Sequence, residues 1–213
     1  MPKVEAYSFR SHVVDADKPK IGALYRDNGA RPTEGFGAKL DAWLQARQRR
    51  LILSAARFSA GQRVIDIGAG QGCMVRAARA AGAHVTAVDL VPELVAKLRT
   101  LADRAVQADL ESLVDTQIYD RVLAIGVLDF VVDPVRALQR LAQLTAPGGR
   151  LLVLVPTLSL GGLFYRFEKW CRGVRVNIYR PAWCMDVLSA QGLTCVQRCR
   201  PLPSNVLMTF QKS

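Results

Sequence analysis

The chain has 213 residues, half of them hydrophobic and 22% charged, with a formal net charge of +11. That length fits one domain large enough to bury its own core, and the apolar share suits an α/β protein whose strands are covered on both faces. Residues 1–10 carry charge at both ends without an apolar centre, unlike a cleavable signal. The longest uncharged run, 151–165, is interrupted by Pro156 and by Gly161-Gly162, so it falls short of the ~20 apolar residues of a spanning helix. A soluble, cytoplasmic chain is expected. Cys73, Cys171, Cys184, Cys195 and Cys199 form no C-x-x-C pair, and there are two histidines, so zinc spacing is absent and no metal is expected. The positive surplus leaves open a solvated arginine-rich surface, nucleic acid, an anionic substrate or an anionic membrane surface.

In chain order, residues 1–37 lack a clear period and hold Pro19, Gly22, Gly29, Pro32 and Gly35, which predicts an irregular arm with a short helix at most. Residues 39–58 read as an amphipathic helix with Leu40, Trp43, Leu44, Leu51 and Ile52 on or near one face. Val64-Ile65-Asp66-Ile67-Gly68-Ala69-Gly70-Gln71-Gly72 then reads as a buried strand entering a glycine-rich turn, with an alanine-rich helix over 73–81 stopped by Gly82. The glycines fall as G-x-G-x-G, and Cys73 stands where a dinucleotide fingerprint carries its third glycine. A β-rich run, 84–89, ends in Asp89, roughly 20 residues after the turn, the distance expected of a ribose-binding acid. Pro92 opens the next helix. A short strand, 105–108, leads into Asp109-Leu110. Strand 119–125 is followed by Gly126-Val127-Leu128-Asp129-Phe130-Val131-Val132-Asp133-Pro134, in which Asp133 caps the helix begun by Pro134. Ala146-Pro147-Gly148-Gly149 turns into a fifth strand ending at Pro156.

These segments, in this order, resemble the class I S-adenosylmethionine-dependent methyltransferases, in their small-molecule branch. The stretch from Gly126 is similar to the G-V-L-x-x-V-x-D-P segment of that branch, which includes enzymes of quinone biosynthesis. The resemblance implies a Rossmann-like fold: one doubly wound, mostly parallel seven-stranded sheet, helices on both faces and an antiparallel last strand. It also implies an enzyme with S-adenosyl-L-methionine as cofactor. By the same resemblance Asp66, Gly68, Ala69, Gly70 and Gly72 belong to the turn facing the methionine portion. Asp89 with Leu90 takes the ribose, Asp109 with Leu110 the adenine, and the backbone at Gly126 the pocket floor. Residues 1–38 are expected to form an arm over the active site and 39–213 the methyltransferase domain, with an insertion at about 158–180. A helix over 182–190 and two strands, 193–198 and 206–211, close the chain.

Methyl transfer from a sulfonium needs placement of the acceptor more than a catalytic dyad. Two residues are weak candidates for a general base, His12 in the arm and Asp129 after the fourth strand, where a loop carboxylate that only caps is the equal alternative. Tyr25 and Phe130 are candidates for the acceptor pocket. His84, at the far end of its strand, reads as structural. The expected acceptor is small or lipid-like and the preferred atom oxygen. Three other readings stand beside it: a methyltransferase of RNA or DNA, a non-catalytic binding protein on the same scaffold, and a dinucleotide oxidoreductase. The first lacks the N/D-P-P-Y/F motif usual in amino-methylating enzymes of nucleic acids, and Cys73 argues against the last. Within the insertion Leu160, Leu163, Phe164, Phe167 and Trp170 recur at helical spacing, with Arg166, Lys169 and Arg172 off that stripe. The stripe is read either as a cap over the sheet or pocket, or as a peripheral membrane contact through 160–172. Gly161-Gly162 suits a mobile lid.

Overall fold

The computed structural model describes Phe9 and residues 11–26 and 36–213. The expectations for Gly29, Pro32 and Gly35, and for the side chain of Leu40, lie outside the described residues. From residue 63 onward strands and helices alternate: β1 (Arg63–Ile67), α3 (Cys73–Ala80), β2 (His84–Asp89), α4 (Pro92–Leu98), β3 (Arg104–Gln107), β4 (Tyr119–Ile125), α5 (Pro134–Leu144) and β5 (Thr145–Pro156). Before them lie α1 (Lys18–Arg26) and α2 (Phe36–Ala56), and after them α6 (Leu160–Cys171), α7 (Pro181–Ser189), β6 (Leu193–Cys199) and β7 (Asn205–Lys212).

The seven strands form one sheet in the order β3-β2-β1-β4-β5-β7-β6. Pairing is parallel from β3 to β5, and β7 runs antiparallel to both its neighbours. This is the doubly wound, Rossmann-like sheet that the motif order implies. Side chains alternate across it with the strand period of two. Ile65 and Ile67, with Val153 and Val155, join Leu138 of α5 and Val187 of α7 in one core layer. Val64 and Leu152 face the other way, against Ile52 of α2, Val75 of α3 and Leu98 of α4. Asp66 shares the face of Val64, two positions along, so a carboxylate enters the second layer just under the glycine turn. The strand order reverses between β1 and β4, and that switch point is where open α/β sheets bind ligands.

The helix over 39–58 is realised as α2, yet its face is narrower than the spacing suggests. Ile52 is buried, but Trp43 is 61% exposed. Asp133 caps α5 as expected, its Oδ1 accepting from the Arg136 N–H at 3.0 Å. The short helix allowed for the arm is α1, nine residues long. Buried Asn177 fastens the arm: its Oδ1 accepts from Ser11 Oγ and from the His12 N–H, while its Nδ2 donates to the Val131 carbonyl. The cysteines are unpaired, and burial pushes the Cys184 thiol up to about 12.

Gly161-Gly162 serves close packing at the start of α6. A Cβ on Gly162 would stand 1.8 Å from the Thr157 carbonyl oxygen, and one on Gly161 would stand 2.9 Å from the Pro203 backbone. Ser159 caps the same turn, its Oγ accepting from the Gly162 N–H at 3.2 Å. Gly162→Ala is therefore expected to lower unfolding stability by about 1–3 kcal/mol through forced backbone movement. Denaturant titration checks this, and an unchanged midpoint would contradict it.

Candidate active site

Glycine-rich backbone, strand-end carboxylates and residues of α1, α2, α4 and α6 converge on one cavity of about 930 Å³ at the switch point. That is near the top of the roughly 300–1,000 Å³ range of small-molecule sites. The turn after β1 is its first wall. Gly68, Gly70 and Gly72 all have positive φ, +69°, +53° and +74°. Gly68 also lacks room for a side chain, since its Cβ would lie 2.3 Å from Val127 Cγ2. The Gly68 and Ala69 N–H groups donate to the Val88 carbonyl, which ties the turn to β2. At Gly70, by contrast, a Cβ would touch only the Gly68 carbonyl oxygen at 3.9 Å, and Gly126 after β4, with φ +70°, looks into open space. Bare backbone therefore faces the cavity from two sides, the cradle that a flat or anionic ligand group requires.

The turn residues divide. Gly68 and Gly70 line the cavity, whereas Gly72 packs on the end of α4 and the turn after it, where its Cβ would meet Leu98 at 3.1 Å and Leu101 at 2.8 Å. Ala69 is buried in the core beneath the turn. Asp66 lies behind the wall, buried, with its carboxyl pushed up to about 7 by burial and by the like charge of Asp89. Asp89 sits at the cavity edge and organises it: Oδ2 accepts from the Gly70 N–H at 2.8 Å and Oδ1 from the Val91 N–H at 2.9 Å. Each carboxylate oxygen keeps a second lone pair for a ligand. Leu90 and buried Leu110 line the same wall.

Asp109 also lines the cavity, but the structure gives it a partner that the sequence does not signal. Lys18 of α1 reaches its Oδ2 at 2.5 Å, Asp15 at 2.8 Å and Glu111 at 3.3 Å. Partial burial opposes the charge on Lys18, but its bonds to Asp109 and Asp15 outweigh that and raise its pKa. Glu111 in turn accepts from the Val132 and Asp133 N–H groups at 3.0 and 2.7 Å, which joins the loop after β3 to that after β4. Ile21, Gly22, Leu24 and Tyr25 carry α1 across the cavity wall. Tyr25 meets Phe130 edge to face, with ring centroids 5.5 Å apart, and both rings line the cavity.

The two candidates for a base are placed differently. His12 is exposed and lies in a separate groove against α6, outside the main cavity. Asp129 is buried on the cavity wall at the carboxyl end of β4. Its Oδ2 accepts from the Tyr165 hydroxyl of α6 at 2.9 Å, while Oδ1 is buried without a hydrogen-bond partner among the described residues. Burial pushes this carboxyl up to about 7, with the Tyr165 hydrogen bond acting in the opposite direction. Burial and the neighbouring Asp129 charge keep the Tyr165 phenol protonated, so it remains a donor. Lys169 stands over the Tyr165 ring, 5.2 Å from its centroid. A carboxylate with a raised pKa and an unpartnered oxygen, on a residue that lines a cavity, is suited to taking a proton from a hydroxyl.

The same burial has a stability consequence. Unfolded, Asp129 gives up its proton near 3.8, whereas folded it holds it to about 7. Folding therefore takes up a proton between those values, and this group's contribution to stability falls as pH rises through that window. Asp129→Asn is expected to raise the melting temperature relative to wild type at pH 8 more than at pH 4. Thermal melts across that range check the sign, and a pH-independent difference would contradict it.

A family profile described as "Methyltransferase domain" matches residues 40–197. A ubiquinone biosynthesis O-methyltransferase of Xylella fastidiosa is 42% identical over 114 residues, covering 49% of this chain and 46% of that protein. Its counterpart in Xanthomonas oryzae pv. oryzae is 39% identical over 114 residues, 49% of this chain and 47% of that protein. The alignments thus span about half the length of these curated relatives. Among solved structures, magnesium protoporphyrin IX methyltransferase from Synechocystis with bound S-adenosylhomocysteine superposes with a TM-score of 0.70 at 17% identity, covering 92% of this chain and all of that one. A 1,6-didemethyltoxoflavin N1-methyltransferase from Burkholderia thailandensis gives 0.63 at 21% identity, covering 94% and 92%. At such identities the superpositions show a shared fold.

Proposed function

We infer what this chain methylates from a fixed premise: it belongs to the methyltransferase-domain family and is an S-adenosylmethionine-dependent enzyme. The acceptor we propose is a small or lipid-like molecule, methylated on a hydroxyl oxygen. The observation that carries the oxygen assignment is Asp129, a buried carboxylate among the residues lining the cavity, whose Oδ1 has no hydrogen-bond partner among the described residues.

The cavity walls fit the cofactor. Gly70 and Gly126 leave backbone open to it, and Asp89 offers spare lone pairs for a pair of ribose hydroxyls. Asp66 and Asp89 place acidic groups behind and beside the turn, where the cationic methionine end would lie, and Asp109 with Leu110 offers a carboxylate beside an apolar surface for adenine. Bound there, S-adenosylmethionine supplies a methyl group already activated on a sulfonium. The chain's own residues have three tasks. Tyr25 and Phe130 hold the acceptor against an apolar edge. Tyr165 fixes the Asp129 carboxylate through Oδ2, and Asp129 Oδ1 takes the proton as the acceptor oxygen becomes nucleophilic. Helices α1 and α6 form the walls that exclude water.

The relatives named for ubiquinone biosynthesis support an oxygen acceptor on an apolar molecule. The net charge of +11 favours a second reading, in which nucleic acid is methylated. One experiment separates them. Protein is incubated with methyl-labelled S-adenosylmethionine and cell extract, and the extract is then partitioned. We expect label in the organic phase. Label confined to nucleic acid would overturn the acceptor class.

A further inference from the structure

Helix α6 is amphipathic in the opposite sense to a core-facing helix. Tyr165 and Lys169 turn inward to the main cavity, and Glu168 bridges Lys169 and Arg172 beside them. The apolar stripe, read from the sequence either as a cap or as a membrane contact, points outward: Leu160, Leu163, Phe164, Phe167 and Trp170 are between 46% and 88% exposed. Phe167 and Trp170 lie against each other, with centroids 6.1 Å apart, so the patch is continuous. It extends into a groove of about 680 Å³ whose lining includes Val14, Arg166, Phe167, Trp170 and Arg175. Contiguous exposed apolar surface of this kind marks an interaction site.

The rim says what the partner is. Arg166 and Arg175 flank the groove, Arg180 is exposed further along, and Arg172 lies on the other side of the helix. Nearby acids are engaged: Glu168 by Lys169 and Arg172, and buried Asp17 beside Arg175 at 4.0 Å. An aromatic face bordered by arginines, on a chain of net charge +11, complements an apolar layer beneath a negatively charged surface. A second copy of the chain fits less well, because a two-fold contact would bring the arginine rims towards each other.

We propose that the outer face of α6 docks the protein on an anionic lipid surface, with Phe164, Phe167 and Trp170 in the boundary between headgroups and acyl chains and Arg166 and Arg175 at the lipid phosphates. The twelve-residue helix lies in the plane of the interface, and no helix among the described residues is long and apolar enough to cross a membrane. Because the inner face of α6 walls the main cavity, docking sets that cavity beside the bilayer. An acceptor dissolved in lipid then reaches Asp129 without leaving an apolar phase. That last step rests on the acceptor class proposed above; the docking itself does not.

The test is co-sedimentation of the purified full chain with phosphatidylcholine vesicles and with mixed phosphatidylcholine–phosphatidylglycerol vesicles. We expect pelleting with the mixed vesicles, weakened by added salt, and far less with phosphatidylcholine alone. Phe167→Glu combined with Trp170→Glu should lower partitioning by at least about tenfold. Arg166→Glu combined with Arg175→Glu should abolish the preference for anionic lipid. All four side chains are at least partly solvent-exposed, and an unchanged melting shift on adding S-adenosylmethionine verifies that each variant folds. Wild type remaining in the supernatant with both vesicle types would overturn the proposal, as would a Phe167/Trp170 variant that pellets like wild type. A concentration-dependent dimer that this variant dissolves, without vesicle binding by either protein, would reassign the face to self-association. Turnover of a water-soluble acceptor without vesicles, measured in parallel, reports on the acceptor reading separately.

Discussion

Asp129→Asn is expected to lower kcat by about 10²- to 10⁴-fold while leaving the affinity for S-adenosylmethionine nearly unchanged. The substitution keeps the shape of the side chain and an acceptor for the Tyr165 hydroxyl, but removes the oxygen that takes the proton. In wild type burial pushes that carboxyl up to about 7. The acid limb of kcat/KM should therefore rise about tenfold per pH unit below that value and level off above it. The variant should lose the limb. Tyr165→Phe is a milder change, since it removes only the bond at Oδ2, and it should alter the position of the limb before it abolishes the rate. Stopped assays across pH, with calorimetry for cofactor affinity, check all three statements. A variant with the wild-type rate and limb would return Asp129 to a structural role.

Asp89→Ala is expected to weaken S-adenosylmethionine binding by about 1–3 kcal/mol, roughly 5- to 150-fold in Kd. Asp89 organises the site in two ways, because its carboxylate holds the Gly70 and Val91 N–H groups and retains lone pairs towards the cavity. The alanine variant should therefore also melt at a lower temperature without cofactor, and added cofactor should raise that temperature less than in wild type. Calorimetry showing wild-type affinity would remove Asp89 from the ligand wall. A lowered melting temperature with affinity intact would leave it only its role in bracing the turn.

The parallel sheet was legible because its signals are local. A β-rich run broken by glycines at positive φ, as from Val64 to Gly72, has few other solutions, and β2 and β4 occupy the expected residues. The strand-end carboxylates were legible for the same reason, since the fold puts every such end on one edge of the sheet. What depends on distant packing was not. Gly72 shares the rhythm of Gly68 and Gly70, yet it meets Leu98 and Leu101 and not the cavity. Lys18 carries no motif and reaches Asp109 only because α1 crosses the sheet edge. Tyr165 sits off the apolar stripe of α6, and periodicity alone assigns such a residue to solvent. The sequence leaves the direction of that stripe open between a cap and an outward contact: hydrophobic spacing predicts a face, and whether it meets core or surroundings is decided by what the other face binds. Here Tyr165 and Lys169 are held inward by Asp129 and Glu168.

We propose methyl transfer to a hydroxyl oxygen in the cavity between β1 and β4. A single-turnover reaction with methyl-labelled S-adenosylmethionine and the isolated organic-phase acceptor tests it most directly, with the position of the label assigned by fragmentation mass spectrometry. The predicted result is one labelled methyl ether per cofactor consumed, formed far more slowly by Asp129→Asn. Label on nitrogen or carbon, or cofactor bound and never consumed, would contradict it.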